Sequence, residues 1–255
     1  MGKFTILWED DYVLVLLKEA GISVTRSQTE KGETVQDQLM QYFNLSDLGI
    51  GRRAGIVHRL DKETSGCLLI AKNNEAFLNL QKQFATRVVE KKYLLLAHGK
   101  LKEKEFSANI PLGRHPQKRR EFSVLPSGRA SETRFSLLQS LKFRQANFKK
   151  ILEKFEKKKR KFLINNTHYF CLLEAFPKTG RTHQIRLHAK YLSHPIVSDP
   201  LYCGKLLKFD KNFCPRMFLH AALLSFKHPK TQEKLTFEAK IPKDLESALS
   251  YLEND

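Results

Sequence analysis

The sequence predicts an α+β fold, on three observations. Apolar runs of strand length recur, such as "YVLVLL" (12–17) and "YLLLA" (93–97); amphipathic stretches with helical spacing lie between them; and the two kinds alternate irregularly, without the strand-helix repeat of a doubly wound sheet. No fixed-period repeat and no Pro/Gly/Ser-rich linker divides the 255 residues, so one domain over 1–255 with a substantial core is expected.

The elements follow in order. "FTILWEDDYVLVLLK" (4–18) reads as a strand pair turned at Asp10-Asp11, with apolar residues in both arms. In "ETVQDQLMQYF" (33–43), Val35, Leu39 and Tyr42 or Phe43 share a helical face; in "EAFLNLQKQFATRVV" (75–89), Leu80, Phe84 and Val88 do. "KKYLLLAHG" (91–99), "RASETRFSLLQS" (129–140), "HYFCLLEAF" (168–176) and "LHAALLSFKHP" (219–229) read as strands. "KTGRTHQIRLHAKYLSHP" (178–195) opens on a glycine turn and continues with helical spacing at Ile185, Ala189 and Leu192.

Composition narrows the function classes. With 45 Lys and Arg against 27 Asp and Glu, a net charge of +18, the chain is suited to a polyanion, because binding phosphates releases counterions and needs many cations. Nucleic acid leads. A membrane partner is disfavoured, since no apolar run approaches the roughly 20 residues of a spanning helix and no secretory apolar segment follows the N-terminus. Cys67, Cys171, Cys203 and Cys214 form no C-x-x-C pair and are read as reduced thiols of a cytoplasmic protein.

One segment stands apart. Residues 142–161, "KFRQANFKKILEKFEKKKRK", hold ten Lys and Arg against Glu153 and Glu156, which is +8 of the chain's +18. Glu153 with Lys157 and Glu156 with Arg160 are spaced for i, i+4 pairing, so a basic insertion over about 142–165 is expected to form a protruding helix or helical hairpin. Either a solvated appendage or an RNA-contacting arm fits that pattern.

Two motifs mislead. "GIGRRAG" (49–55) is not G-x-G-x-x-G and no strand clearly precedes it, so no dinucleotide site is expected; Arg52 and Arg53 are placed for phosphate contacts. His183 and His188 are five apart, with no Glu in the H-E-x-x-H position, so no metal is expected even with His194 downstream.

"GIVHRLDKETSGCLLIAK" (55–72) sets Asp61 among His58, Arg59 and Lys62, cationic neighbours that favour a carboxylate anion. The tail Thr64-Ser65-Gly66 reads as a turn that presents Asp61 ahead of the buried run "CLLIA". Taken alone, Asp61 is either a carboxylate nucleophile or a surface residue capping its own turn. Arg181 and Arg186, near a predicted helix start, favour an anion there or are ordinary solvated arginines.

Together, "HRLDKETSG", "EKKYLLLAHG" and "GRTHQIRLH" resemble, in order, the three-motif signature of the RluA family of pseudouridine synthases. The flanks "ILWEDDYVLVLLKEAGISV" (6–24) and "FLHAALLSFKHPKTQEKLTFEAKIPKDL" (218–245) are similar to that family's opening strand pair and closing strands. The resemblance implies a mixed, largely antiparallel sheet with a central active-site cleft flanked by helices. It implies isomerisation of specific uridines in rRNA or tRNA with no metal or organic cofactor, and a monomer is expected. The other class still open is a non-catalytic RNA-binding or ribosome-assembly protein on the same scaffold.

Residue by residue, Asp61 matches the family's catalytic aspartate. Tyr93 matches the tyrosine that packs on the flipped uracil, and Arg186 the arginine that pairs with the catalytic carboxylate. Arg59 resembles the arginine that fills the gap left by the flipped nucleotide. His58, Arg52, Arg53, Arg181 and His183 complete the expected substrate-binding set. Relative to the family, no N-terminal S4-type module is expected before residue 6, Glu19 stands in "KEAG" where proline is common, and the basic insertion is additional.

Overall fold

The computed structural model describes residues 4–27, 30–43, 54–118 and 121–255. The chain runs β1 (Thr5–Glu9), β2 (Val13–Lys18), α1 (Val35–Tyr42), β3 (Ser65–Ala71), α2 (Asn74–Ala85) and β4 (Glu90–His98). It continues through β5 (Glu105–Asn109), β6 (Leu112–Arg114), β7 (Phe122–Val124), β8 (Glu132–Phe143), α3 (Gln145–Leu152), α4 (Lys157–Thr167), β9 (Tyr169–Pro177) and α5 (Gln184–Tyr191). It closes with α6 (Leu207–Asp210), β10 (Leu219–Lys227), β11 (Lys234–Glu238), α7 (Lys243–Leu249) and β12 (Leu252–Asn254). The chain folds as two compact units, residues 1–92 with 220–240, and residues 93–219 with 241–255.

In the first unit, β1, β2 and β3 form an antiparallel run, with Leu16 opposite Leu68 and Val13 opposite Ala71. β10 joins β3 in parallel at His220↔Ser65 and Ala221↔Gly66, and β11 pairs antiparallel with β10. β2 and β3 are buried on both faces, hence their unbroken apolar sequences. Gly66 has φ +122, and a Cβ there would lie 2.2 Å from the Ala221 carbonyl oxygen, so only glycine lets the parallel neighbour approach. Ser65 and Gly66 therefore belong to the strand, and the expected turn lies earlier, at Asp61–Thr64.

α1 starts where predicted because Thr34 and Asp37 form a capping box. α2 is shorter than its apolar spacing suggested. Its cap is Thr86, and Arg87 turns left-handed at φ 62, which carries Val88 off the helix and leaves it 43% exposed while Val89 is buried.

In the second unit, β4 and β8 flank β9 antiparallel, while β5 and β12 pair with β8. The sheets are thus mostly antiparallel, as the α+β reading requires. One core cluster joins Leu95, Ala97, Phe135, Cys171, Leu173 and Ile185; another gathers Phe143, Phe170, Phe209, Phe213 and Phe218. All four cysteines are buried and unbridged.

The basic insertion is a helical hairpin, α3 and α4, though residues 142 and 143 still belong to β8. The anticipated i, i+4 pairs do not form, because Glu153 caps the end of α3 and Glu156 stands before α4. Arg160 turns back to the carbonyls of Phe155 (2.8 Å) and Glu153 (3.2 Å), and Glu156 meets Lys158 at 3.2 Å.

Candidate active site

Asp61 is half-buried on the turn leading into β3, and its carbonyl accepts the Thr64 N–H at 3.1 Å. The turn is anchored from behind by the end of β2. Lys18 is 1% exposed, and its ammonium donates to the carbonyls of Glu19 (2.7 Å), Ile22 (2.8 Å) and Lys62 (3.2 Å). The Gly21 N–H adds a second bond to the Lys62 carbonyl at 2.8 Å. A buried ammonium is tolerated only with such a set of acceptors, so the residue beside Asp61 is fixed by charge-assisted hydrogen bonds. Outside the turn, the Lys62 ammonium lies 3.2 Å from the Glu30 carboxylate, whose pKa is held low by the Ser23 hydroxyl, the Gly32 N–H and Lys62.

His58 faces inward. Its Nε2 accepts the Leu69 N–H at 2.9 Å, and its ring stacks on Phe84 with centroids 4.8 Å apart. Burial, reinforced by the Lys91 charge, pushes its pKa down to about 3, so the ring is neutral and its Nε2 lone pair stays available to the amide. The same desolvation lowers Lys91 to about 8. Arg59 is exposed next to the turn. Arg52 and Arg53 lie outside the described residues.

In the second unit, Tyr93 sits on β4 opposite Ala175 of β9, half-buried against the cluster of Leu95 and Leu173. The segment "GRTHQIR" is folded by Gln184. Its amide donates to the Glu132 carbonyl (2.9 Å) and the Thr133 hydroxyl (2.9 Å), and its oxygen accepts the Thr179 hydroxyl (2.6 Å) and the Arg181 N–H (3.0 Å). His183 takes a left-handed φ of 56 at the start of α5, and its Nδ1 lies 2.8 Å from the Tyr202 hydroxyl. Arg181 is half-buried, with Nε 3.4 Å from the Ala130 carbonyl.

Arg186 is not a solvated helix arginine: it is 4% exposed. Its Nε and Nη2 make a two-pronged ion pair with Asp199 at 2.7 and 2.8 Å, and its guanidinium stacks over the Tyr202 ring at 4.9 Å. Asp199 also accepts the amides of Leu201 (2.9 Å) and Tyr202 (3.0 Å), so the fork is aimed by a fixed carboxylate. Two residues on, His188 is buried, its ring nitrogens 3.0 Å from the hydroxyls of Ser131 and Thr133, and burial lowers its pKa. His194 sits 2.8 Å from the His98 carbonyl. Among the described residues no group of three or more His, Cys, Asp or Glu is arranged to hold a metal ion, and no helix is long and apolar enough to cross a membrane.

Lys18, Gln184 and Asp199 escaped the sequence reading. For Asp199 the signal was present: an arginine on the apolar face of a helix needs a carboxylate, and the Asp-Pro turn after "HPIV" supplies one.

Residues 12–191 match the RNA pseudouridylate synthase family. An RNA pseudouridine synthase of Helicobacter pylori is 35% identical over 250 residues, covering 97% of this chain and 68% of the relative. A ribosomal large subunit pseudouridine synthase D of Xanthomonas campestris is 35% identical over 259 residues, covering 98% and 70%. The solved structure of human RNA pseudouridylate synthase domain containing 1 superposes with a TM-score of 0.70 at 24% identity, over 96% of this chain and 87% of that one, and shares the fold. With residues 12–191 matched and such relatives aligned along nearly its whole length, this chain belongs to the RNA pseudouridylate synthase family, in its RluA-type branch.

Proposed function

We propose that this chain, working as one catalytic domain, isomerises specific uridines in structured RNA to pseudouridine, with large-subunit rRNA as the first substrate class to test and tRNA as the second. The supporting observation is the anchored Asp61 turn: a carboxylate placed ahead of a fully buried strand by an amide and a buried ammonium is preorganised for chemistry on an anionic ligand. The name of the Xanthomonas relative supports the choice of large-subunit RNA.

In this reading the target nucleotide leaves the stack, the N-glycosidic bond breaks, the uracil turns, and a C–C bond forms at C5. Asp61 is the catalytic carboxylate. Tyr93 stacks on the uracil, an aromatic ring suiting any base face. Arg186, its fork held by Asp199, is the arginine that this reading assigns to the catalytic carboxylate. Arg59 fills the vacated position, and Arg52, Arg53, Arg181 and His183 contact phosphate or order their loops. His58 acts as a positioning residue, because its Nε2 is used on Leu69. The chemistry calls for no metal or organic cofactor, and a cytoplasmic monomer is the form in which the protein meets its RNA.

The test is mapping of pseudouridine in protein-free large-subunit rRNA and in tRNA after incubation with the protein. A small set of converted uridines is expected. Conversion in neither RNA overturns the reading.

A further inference from the structure

The connection between β8 and β9 is far longer than its geometry requires. The strands are antiparallel neighbours whose final pair is Lys142↔Tyr169, and a loop of about two to five residues joins such neighbours. Here the chain inserts α3 and α4 instead.

The hairpin has two unlike sides. Phe148, Ile151, Leu152 and Leu163 are buried in the cluster of Phe143, Phe170, Phe209 and Phe213, and the Phe143 and Phe148 rings stack with centroids 5.4 Å apart. On the other side Lys149, Lys150, Lys154, Lys157, Lys158, Lys159 and Lys161 are exposed. Lys154 reaches the Asn212 side chain, and Lys158 and Lys159 lie against Glu156. Lys149, Lys150, Lys157 and Lys161 are in none of the ion pairs formed among the described residues. The first turn of α4 is Lys157, Lys158, Lys159 and Arg160 with no acid, against the helix dipole and against one another. A segment serving only solubility would need neither the aromatic anchor nor four consecutive cations that the single preceding acid, Glu156, offsets only in part, and a polyanion relieves the repulsion.

We propose that the exposed face of α3 and α4 is a rigid phosphate-contacting platform for the substrate RNA. This rests on the RNA reading of the chain and adds a surface to it. The 42% exposed Phe162, its ring centroid 6.0 Å from the Lys205 ammonium, offers an unpaired base a stacking face beside cations. RNA fits better than a lipid surface, because Phe148, Ile151, Leu152 and Leu163 are buried in the core and the exposed Phe162 and Ile164 fall short of the apolar stripe that a bilayer-bound helix inserts.

The experiment replaces Lys149, Lys150, Lys157 and Lys161 with Gln in the full chain, and Lys82, Lys227, Lys230 and Lys240 with Gln in a control of equal charge. Binding to a protein-free large-subunit rRNA transcript and to phosphatidylserine vesicles is measured from low to high salt, with circular dichroism to confirm folding. The platform variant should bind the transcript at least about tenfold more weakly and lose up to roughly three units of salt slope, at about 0.7–0.9 per phosphate contact. The control should change by less than half as much, and kcat at saturating RNA should be unaffected in both. Equal losses in the two variants, or a loss confined to vesicle binding, overturns the platform. A loss of slope in a protein that converts no uridine leaves the platform standing and removes the catalytic reading instead.

Discussion

Arg186 and Asp199 are joined by two parallel hydrogen bonds of 2.7 and 2.8 Å in a site where the arginine is 4% and the aspartate 0% exposed. Removing one member strands the other charge in a dry environment, which costs about 3–5 kcal/mol. Asp199→Asn should therefore lower the urea midpoint and reduce turnover together. Arg186→Lys should be nearly as damaging, because a point charge cannot make the planar two-pronged contact. Unchanged stability in both variants would contradict the pairing.

Lys18 acts at a distance through the Lys62 carbonyl. Lys18→Met keeps the stem's apolar packing but leaves the carbonyls of Glu19 and Ile22 without the ammonium and that of Lys62 with the Gly21 N–H alone, a loss of roughly 1–3 kcal/mol. Turnover should fall with KM for RNA within about twofold, since the loop that moves carries Asp61 and few phosphate contacts. A variant with normal kcat would show that the turn holds without its ammonium.

Gly66 is required by close approach. Gly66→Ala would set a methyl group 2.2 Å from the Ala221 carbonyl at a φ of +122, so the variant should be insoluble or melt far below wild type. A melting temperature within a few degrees of wild type, about what 1 kcal/mol produces, would contradict the register of β3 and β10.

His58 ties stability to pH. Its folded pKa of about 3 lies below the unfolded value of 6.5, so between these the unfolded chain binds a proton that the folded chain does not. Stability is then fully present above pH 6.5 and is lost as pH falls toward 3, at no more than about 1.4 kcal/mol per unit for this half-buried ring. His188, lowered by its own burial, acts in the same direction. Melting curves from pH 7 to 5 should show the decline, and His58→Gln, which keeps an acceptor for Leu69, should flatten it. An identical slope in the variant would assign the acid sensitivity elsewhere.

The strands were legible from their apolar runs because β2, β3, β4 and β9 are largely buried, and the three motif segments located Asp61, Tyr93 and Arg186 by order. The end of α2 was not legible: apolar spacing continues through Val88, and only the left-handed turn at Arg87 ends the helix. The helical hairpin was expected from its charge pattern, but its docked side was not legible, because its few anchors, Phe148, Ile151, Leu152 and Leu163, are diluted among lysines in sequence and separated from them only in space. Lys18 was invisible, and Asp199 was signalled only by the need of a helix arginine for a carboxylate, for a related reason. Each serves a partner distant in the sequence, Lys62 in one case and Arg186 in the other, and spacing reveals only local partners.

The most direct measurement is tritium release from RNA labelled at uracil C5, with wild-type protein and with Asp61→Asn compared at equal RNA occupancy. A carboxylate acting in the isomerisation predicts release by wild type and none above background by the variant, with RNA binding within about twofold because one exchanged oxygen removes no phosphate contact. Release by Asp61→Asn at the wild-type rate would contradict the assignment of Asp61 as the catalytic group.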